Sequence, residues 1–335
     1  SPEENNFHIF EVAAIDNSGS IDPTPARIRF CTKKGEPAET ILSSSPGVEC
    51  IANNNITESW PGLLFTFNNE TSKYSYKINS GQWSSYSDTN NIILTGSVFP
   101  SSGNYKIYFK AKNKYSVEDE TPLEYNIKII KPEYKNDILL IDMTTDGIGV
   151  LGSPSDDEYD NFYSAVCSDA NISSYELYDV KSNGFPSREK LSNFKYLLIY
   201  NDNSYSEFEN KLLKTDIDAL SDYLNTDGRL ILSGWIPSNI FFNSSQADTF
   251  FYKYFQVKTG RDIVQNLSPY CTSFSSYPDL KIDESKFPME WLKSFANLEL
   301  FTPRAFCEKI YTLNSSNNSY NGKTLITLLM TNSYK

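Results

Sequence analysis

The chain holds one histidine, His8, among 335 residues. Histidine is the usual base that strips a proton from a serine or cysteine nucleophile, so its absence after residue 8 removes Ser–His and Cys–His chemistry from most of the chain. No CxxC spacing occurs among Cys31, Cys50, Cys167, Cys271 and Cys307, and a structural zinc site is not expected. No apolar run approaches the roughly 18 residues of a spanning helix, so no membrane insertion is expected within these residues. Neither GxGxxG nor GxxxxGK[ST] appears, so no phosphate cradle is expected. Basic residues are short as well: 30 against 42 acidic, a net charge of −12. Nucleic acid binding depends on cationic side chains neutralising phosphates, and it is not expected here. The acidity suits a secreted protein kept soluble by its charge, which points to an extracellular or cell-surface setting.

What is plentiful is aromatic: 23 tyrosines and 21 phenylalanines. These residues favour pleated, half-buried strands. The length suits two or three domains. The opening Ser1-Pro2-Glu3-Glu4 runs straight into strand alternation, as in a domain fragment. Five cysteines leave two arrangements open. Either Cys31–Cys50 and Cys271–Cys307 form disulfides with Cys167 left over, or all are thiols.

An internal repeat organises the first third of the chain. His8-Ile9-Phe10-Glu11-Val12-Ala13-Ala14 alternates, turns, and continues through Asp22-Pro23-Thr24-Pro25 to Ile28-Arg29-Phe30. Tyr105 to Ala111 does the same, followed by Asp119-Glu120-Thr121-Pro122 and Tyr125 to Ile129. Phe10, Val12 and Ala14 match Ile107, Phe109 and Ala111, and Ser116 stands where the first copy has Gly19. Residues 1–33 therefore read as the last hairpin of a truncated sandwich and residues 36–131 as a whole one. Strands are predicted near 38–43, 62–67, 73–78, 82–87, 91–95, 105–113 and 123–130. The loop Asp16 to Asp22 lacks the acidic ligand of a calcium loop and reads as an Asx-rich turn.

Tyr74-Ser75-Tyr76-Lys77-Ile78-Asn79-Ser80-Gly81-Gln82-Trp83-Ser84-Ser85-Tyr86-Ser87 resembles the central hairpin of bacterial Ig-like and fibronectin-type-III-like repeats. Phe10 through Pro25 resembles their last hairpin. The resemblance covers residues 7–130 and implies fold, not activity.

After Lys131-Pro132 the period changes. Asp137 to Asp142 is a short continuous apolar strand, as in a parallel sheet covered on both faces. Helix from 159 to 169, strand from 175 to 180, strand from 195 to 200, a helix from 215 to 225 with Thr215 as cap, and strand from 229 to 233 follow in alternation. Helices are expected near 244–255 and 287–296, and strands near 309–313 and 324–330. The fold class is thus multidomain: Ig-like sandwich, then α/β with a mainly parallel sheet over 137–335, with a further strand expected past Lys335. Asp137 to Gly234 looks like a flavodoxin-like or class I glutamine-amidotransferase-like domain of large secreted bacterial proteins. That resemblance implies an accessory, non-catalytic role, and the elbow cysteine of amidotransferases is missing.

Open parallel sheets bind ligands at the carboxyl ends of their strands. The candidates there are Asp142, Thr145, Asp146, Asp202, Ser233 and Trp235. The oxygens of Asp142, Asp146 and Asp202 suit a cation; no cofactor is expected, with calcium the alternative. The nearby run Asp156-Asp157-Glu158-Asp160 reads as an acidic helix start favoured by the helix dipole. His8 reads as a packing or surface residue. The functional expectation is a non-catalytic binding or structural module, engaging neighbouring domains of its own polypeptide, a glycan or an extracellular protein. An accessory region of a secreted hydrolase is the alternative, and a carboxylate- or metal-dependent enzyme the third.

Overall fold

A computed structural model describes residues 6–32, 38–70, 72–114, 116–145, 154–202, 211–234, 236–260, 270–273, 277–281, 299–305, 307–314 and 318–329. Contacts divide the chain into two compact units, 1–49 with 61–129 and 50–60 with 130–335.

The first unit starts with a hairpin, β1 (Asn6–Val12) and β2 (Ala26–Thr32). Then come β3 (Leu42–Ser44), β4 (Glu49–Ile51), β5 (Leu63–Phe67), β6 (Lys73–Ile78), β7 (Asn91–Leu94), β8 (Gly103–Lys112) and β9 (Leu123–Ile130), of which Cys50, Ile51 and Ile130 fall in the second unit. They form two antiparallel sheets of order β3-β5-β7 and β4-β9-β8-β6. Period-two alternation puts Phe65 and Phe67 of one sheet and Tyr74, Ile107, Phe109 and Ala111 of the other in the core, each at most 1% exposed. Phe65 meets Phe109 at 4.8 Å between ring centroids, and Phe67 stacks on Tyr74 at 4.1 Å. This is a sandwich-like packing of two sheets.

The repeat holds down to single hydrogen bonds. Phe10 pairs with Ile28 and Val12 with Ala26, as Ile107 pairs with Tyr125 and Phe109 with Leu123. Each matched residue lies 97 positions from its counterpart. The isolated bridge Ile15–Ile21 recurs as Lys112–Glu118. Asp22 N donates to Ala14 O at 2.8 Å, and Asp119 N to Ala111 O at 2.9 Å. Asp16 Oδ1 accepts from Ser18 N and Ser20 N, the Asx turn expected from the sequence. Gly19 has φ +84°, and Ser116 at the same place has φ +64°. The serine thus occupies a left-handed conformation that glycine adopts freely.

Residues 82–87 do not form the expected strand. They fold back along β6 through Ser84 N to Tyr76 O and Ser87 N to Tyr74 O, with one bridge at Tyr74–Ser87. Their side chains explain the motif. Trp83 lies between the ammonium groups of Lys77, 5.1 Å from its ring centroid, and Lys110, at 4.7 Å. Tyr86 lies beneath Lys112 at 3.8 Å. Lysines on β6 and β8 and aromatic residues on the returning segment thus form a ladder of cation–π contacts.

The second unit holds β10 (Asn136–Asp142), α1 (Asp156–Asp169), β11 (Tyr175–Asp179), α2 (Val180–Asn183), α3 (Arg188–Leu191), β12 (Phe194–Asn201), α4 (Lys214–Asn225), β13 (Arg229–Gly234) and α5 (Ser244–Tyr254). The four strands are all parallel, in the order β11-β10-β12-β13. Leu139 and Ile141 face a core completed by Leu220 and Tyr223 of α4 and Phe250 and Phe251 of α5. Ile138 and Leu140 face Tyr163 and Cys167 of α1. Helices on both faces explain why this strand reads as a continuous apolar run.

Helix α4 begins at Lys214, ahead of the expected cap at Thr215. The Asp216 carboxylate accepts from Leu213 N at 2.8 Å, and Asp218 pairs with Lys214 at 2.8 Å. Beyond residue 256 the sheet is not parallel. Strands β14 (Val257–Gly260), β15 (Tyr270–Ser273), β16 (Leu280–Lys281), β17 (Leu300–Pro303), β18 (Cys307–Asn314) and β19 (Thr324–Leu329) form an antiparallel sheet of order β14-β17-β19-β18-β15-β16. The expectation of one mainly parallel sheet over 137–335 is thus corrected: β18 ends at Asn314 and β19 starts at Thr324, a connection too short for a helical crossover, and the two pair antiparallel. The helix expected near 287–296 lies outside the described residues. Cys50 and Cys307, one member of each expected disulfide, are thiols, and Cys167 is a thiol buried on α1. No helix among the described residues is long and apolar enough to cross a membrane.

Candidate functional site at the carboxyl ends of the parallel strands

In chain order the parallel strands run second, first, third, fourth across the sheet. Helices α1 and α4, which follow β10 and β12, pack on opposite faces of the sheet, so the strand order reverses between these two strands, the place where open parallel sheets bind ligands. Asp142 ends β10, and Asn201 ends β12 with Asp202 directly after it. Asp142, Thr144, Asn201 and Asp202 are all buried.

The loop after β10 folds around these carboxylates. Thr144 N donates to Asp142 Oδ1 at 2.7 Å. The Thr144 hydroxyl lies 2.7 Å from that oxygen and 2.9 Å from Asp156 Oδ1. Thr145 N donates to Asp202 Oδ2 at 3.1 Å, which ties the ends of β10 and β12 together. Helix α1 starts beside them, because Ser155 and Glu158 form a capping box. Asp156 and Asp160 are four residues apart, so both project from one face of α1. One carboxylate oxygen each of Asp142, Asp156 and Asp160 lies within 4.8 Å of the others.

Tyrosines pack beside the carboxylates. Tyr200 donates to Asp160 Oδ1 at 2.7 Å and stacks on Tyr163 with centroids 4.1 Å apart. The Tyr163 and Ser233 hydroxyls are hydrogen-bonded at 2.7 Å. Burial, with Asp160 and Asp156 beside it, pushes the Asp142 carboxyl up to about 7 against the opposing pull of Thr144. Burial likewise pushes the phenol of Tyr159 up to about 12 and those of Tyr163 and Tyr200 upward. Gly234, at φ +151°, closes the end of β13, and a Cβ there would stand 1.9 Å from Asn201 Oδ1.

The structure brings together four of the six residues expected from the sequence: Asp142, Thr145, Asp202 and Ser233. Asp146 and Trp235 lie outside the described residues. Asp179, at the end of β11, caps α2 by accepting from Lys181 N at 2.8 Å. Sequence reasoning passed over Asp156 and Asp160 as site residues and missed Tyr163 and Tyr200 altogether. The four-residue spacing of Asp156 and Asp160 was the available signal. Three clustered carboxylates repel anions and offer oxygen donors to a hard cation or to hydroxyl groups.

No family model and no curated protein matches the chain. Among solved structures, it is similar to the FN1–FN3 domains of chicken CNTN1 at 15% identity and a TM-score of 0.22, covering 39% of this chain and 46% of that one. It is also similar to the extracellular domain of a putative one-component system from B. thetaiotaomicron, at 15% identity, a TM-score of 0.22, and 36% and 20% coverage. The chain thus spans less than half of either. At these values neither family nor activity is assigned.

Proposed function

We propose that the chain is a non-catalytic binding or structural module of an extracellular or cell-surface protein. Its contact edge in this reading is the carboxyl end of the parallel sheet. The carrying observation is the pair of buried carboxylates, Asp142 and Asp202, where the strand order reverses. The same strand order supports a flavodoxin-like or amidotransferase-like assignment for this sheet. Its partners in this reading are neighbouring domains of the same polypeptide, and a glycan or extracellular protein at the edge.

Two observations support a non-catalytic role. His8, the single histidine, belongs to the first unit. Ser233, the hydroxyl at the strand end, is hydrogen-bonded to a phenol whose proton is held more tightly than usual, a poor base. The oxygens of Asp142, Asp156 and Asp160 suit calcium as a structural cation at the same edge.

Thermal unfolding with calcium and with chelator tests the cation. Calcium is expected to raise the melting temperature of the native chain but not that of Asp160→Asn. A glycan array probed with the native chain and with Asp202→Asn tests the edge. Binding that is equal for both would move the contact elsewhere.

A further inference from the structure

The β1–β2 hairpin repeats β8–β9 in register, turn and hydrogen bonding, yet the two copies end differently. Ile107, Phe109 and Ala111 are fully buried beneath the facing sheet. Their counterparts Phe10 and Val12 are 58% and 55% exposed, and Ile28, across from Phe10, is 63% exposed. A β-strand places alternate residues on one face, so Phe10, Val12, Ala26 and Ile28 form one apolar surface. Burying such a face is what makes an antiparallel hairpin stable in water.

The polar turn tells the same story. Asp22 Oδ1 accepts from Thr24 N and its hydroxyl, as Asp119 Oδ1 does from Thr121. Asp119 uses its other oxygen as well. It accepts from Thr40 N at 2.9 Å and from the Thr40 hydroxyl at 2.5 Å, and that hydroxyl accepts from Ala111 N. Thr40 belongs to the segment leading into the sandwich, so the aspartate clasps the start of its own domain. Among the described residues, the Asp22 carboxylate has only its bonds to Thr24.

We propose that the β1–β2 hairpin is the closing hairpin of a second β-sandwich, and that its apolar face seats the facing sheet of that sandwich. The occupant carries inward aromatic or aliphatic residues, and a hydroxyl-bearing residue at the place of Thr40 to engage Asp22. It is delivered by the same polypeptide. A separate protein needs about 800 Å² per partner and some 20 residues a side for a stable contact, and this face offers four side chains. Linkage in one chain supplies the missing affinity as effective concentration. This goes beyond the binding edge of the parallel sheet and stands without it.

The test lengthens the full chain with its own strands. Residues 38–102 are placed directly ahead of Asn6, which corresponds in the repeat to Gly103. Amide exchange is read across β1 and β2. In the unextended chain these amides should exchange fast at every protein concentration. In the extended chain they should slow by about 100-fold, and Phe10→Asp should return them to fast exchange. A second extended chain carrying Phe10→Ile and Val12→Phe presents the added strands with the residues β8 itself offers. Protection only in that second chain would show that the natural face does not fit such a sheet, and would overturn the proposal. So would fast exchange in both extended chains. Slow exchange in the unextended chain that deepens with concentration would assign the face to a second copy instead, and would overturn it too.

Discussion

Replacing Asp119 by asparagine should loosen the whole sandwich, while the same change at Asp22 should do almost nothing. Asp119 is buried and accepts four hydrogen bonds, two from Thr40 and two from Thr121. The Thr40 hydroxyl accepts from Ala111 N, so its proton must go to Asp119. Asparagine keeps one acceptor oxygen and turns an amide donor towards one of the two pairs. If it keeps Thr121, two donors of Thr40 lose their partner. A hydrogen bond to a charged group contributes about 1.5–3 kcal/mol, so losing two costs about 3 kcal/mol or more. Asp22 on the hairpin carries only the Thr24 pair among the described residues, and Asp22→Asn should cost less than about 0.5 kcal/mol. Amide exchange across β8 is the assay: about 3 kcal/mol is a roughly 100-fold acceleration for Asp119→Asn. The effect also carries a pH signature. Burial pushes the Asp119 carboxyl up, but the donors of Thr40 and Thr121 outweigh it and hold the group below its ordinary value. A lowered value means stabilisation present above about pH 4 and lost as pH falls further, so native chain and variant should converge in acid. Equal effects at 119 and 22, or a neutral Asp119→Asn, would refute the clasp.

Three further outcomes follow from the geometry. In chelator, Asp142→Asn should stabilise the chain. The carboxyl, raised to about 7, favours its neutral form when folded, so the native chain loses stability as pH rises from about 4 to 7 and the variant does not. The gain should reach about 4 kcal/mol at pH 8 and fall below about 2 kcal/mol at pH 5 in urea unfolding, and a pH-independent difference would contradict the cause given. Ser116→Gly should stabilise the sandwich by about 1 kcal/mol, since it relieves a left-handed serine, and a lower melting temperature would count against the strain. Trp83→Ala should cost about 2 kcal/mol in urea unfolding by removing the ring between Lys77 and Lys110, and a loss below about 0.5 kcal/mol would contradict the ladder.

The parts of the fold legible in the sequence were those with a strong period. Phe10, Val12 and Ala14 announced the repeat because strand alternation and the Asp-x-Thr-Pro turn coincide at one spacing. Ile138 to Ile141 announced a covered parallel strand because both faces are apolar. Strand β4 escaped notice, since three residues are too few to show a period. Residues 82–87 misled because Trp83 and Tyr86 satisfy lysines on the neighbouring strands rather than a core. The late antiparallel sheet was hidden by strands as short as the two-residue β16. At the site, strand ends pointed to Asp142 and Asp202, because topology alone places them. Asp156 and Asp160 were hidden because an acidic first turn has an adequate local reason, the helix dipole. Tyr163 and Tyr200 carried no signal, being apolar by position and polar only at the phenol tip.

Terbium luminescence under tyrosine excitation tests most directly whether the carboxyl edge is a working site. Tyr200 is hydrogen-bonded to Asp160, so a lanthanide held by Asp142, Asp156 and Asp160 sits beside a sensitiser. Saturable emission that calcium displaces and that Asp160→Asn abolishes is the expected result. Emission that is absent, or unchanged in Asp160→Asn, would contradict the account.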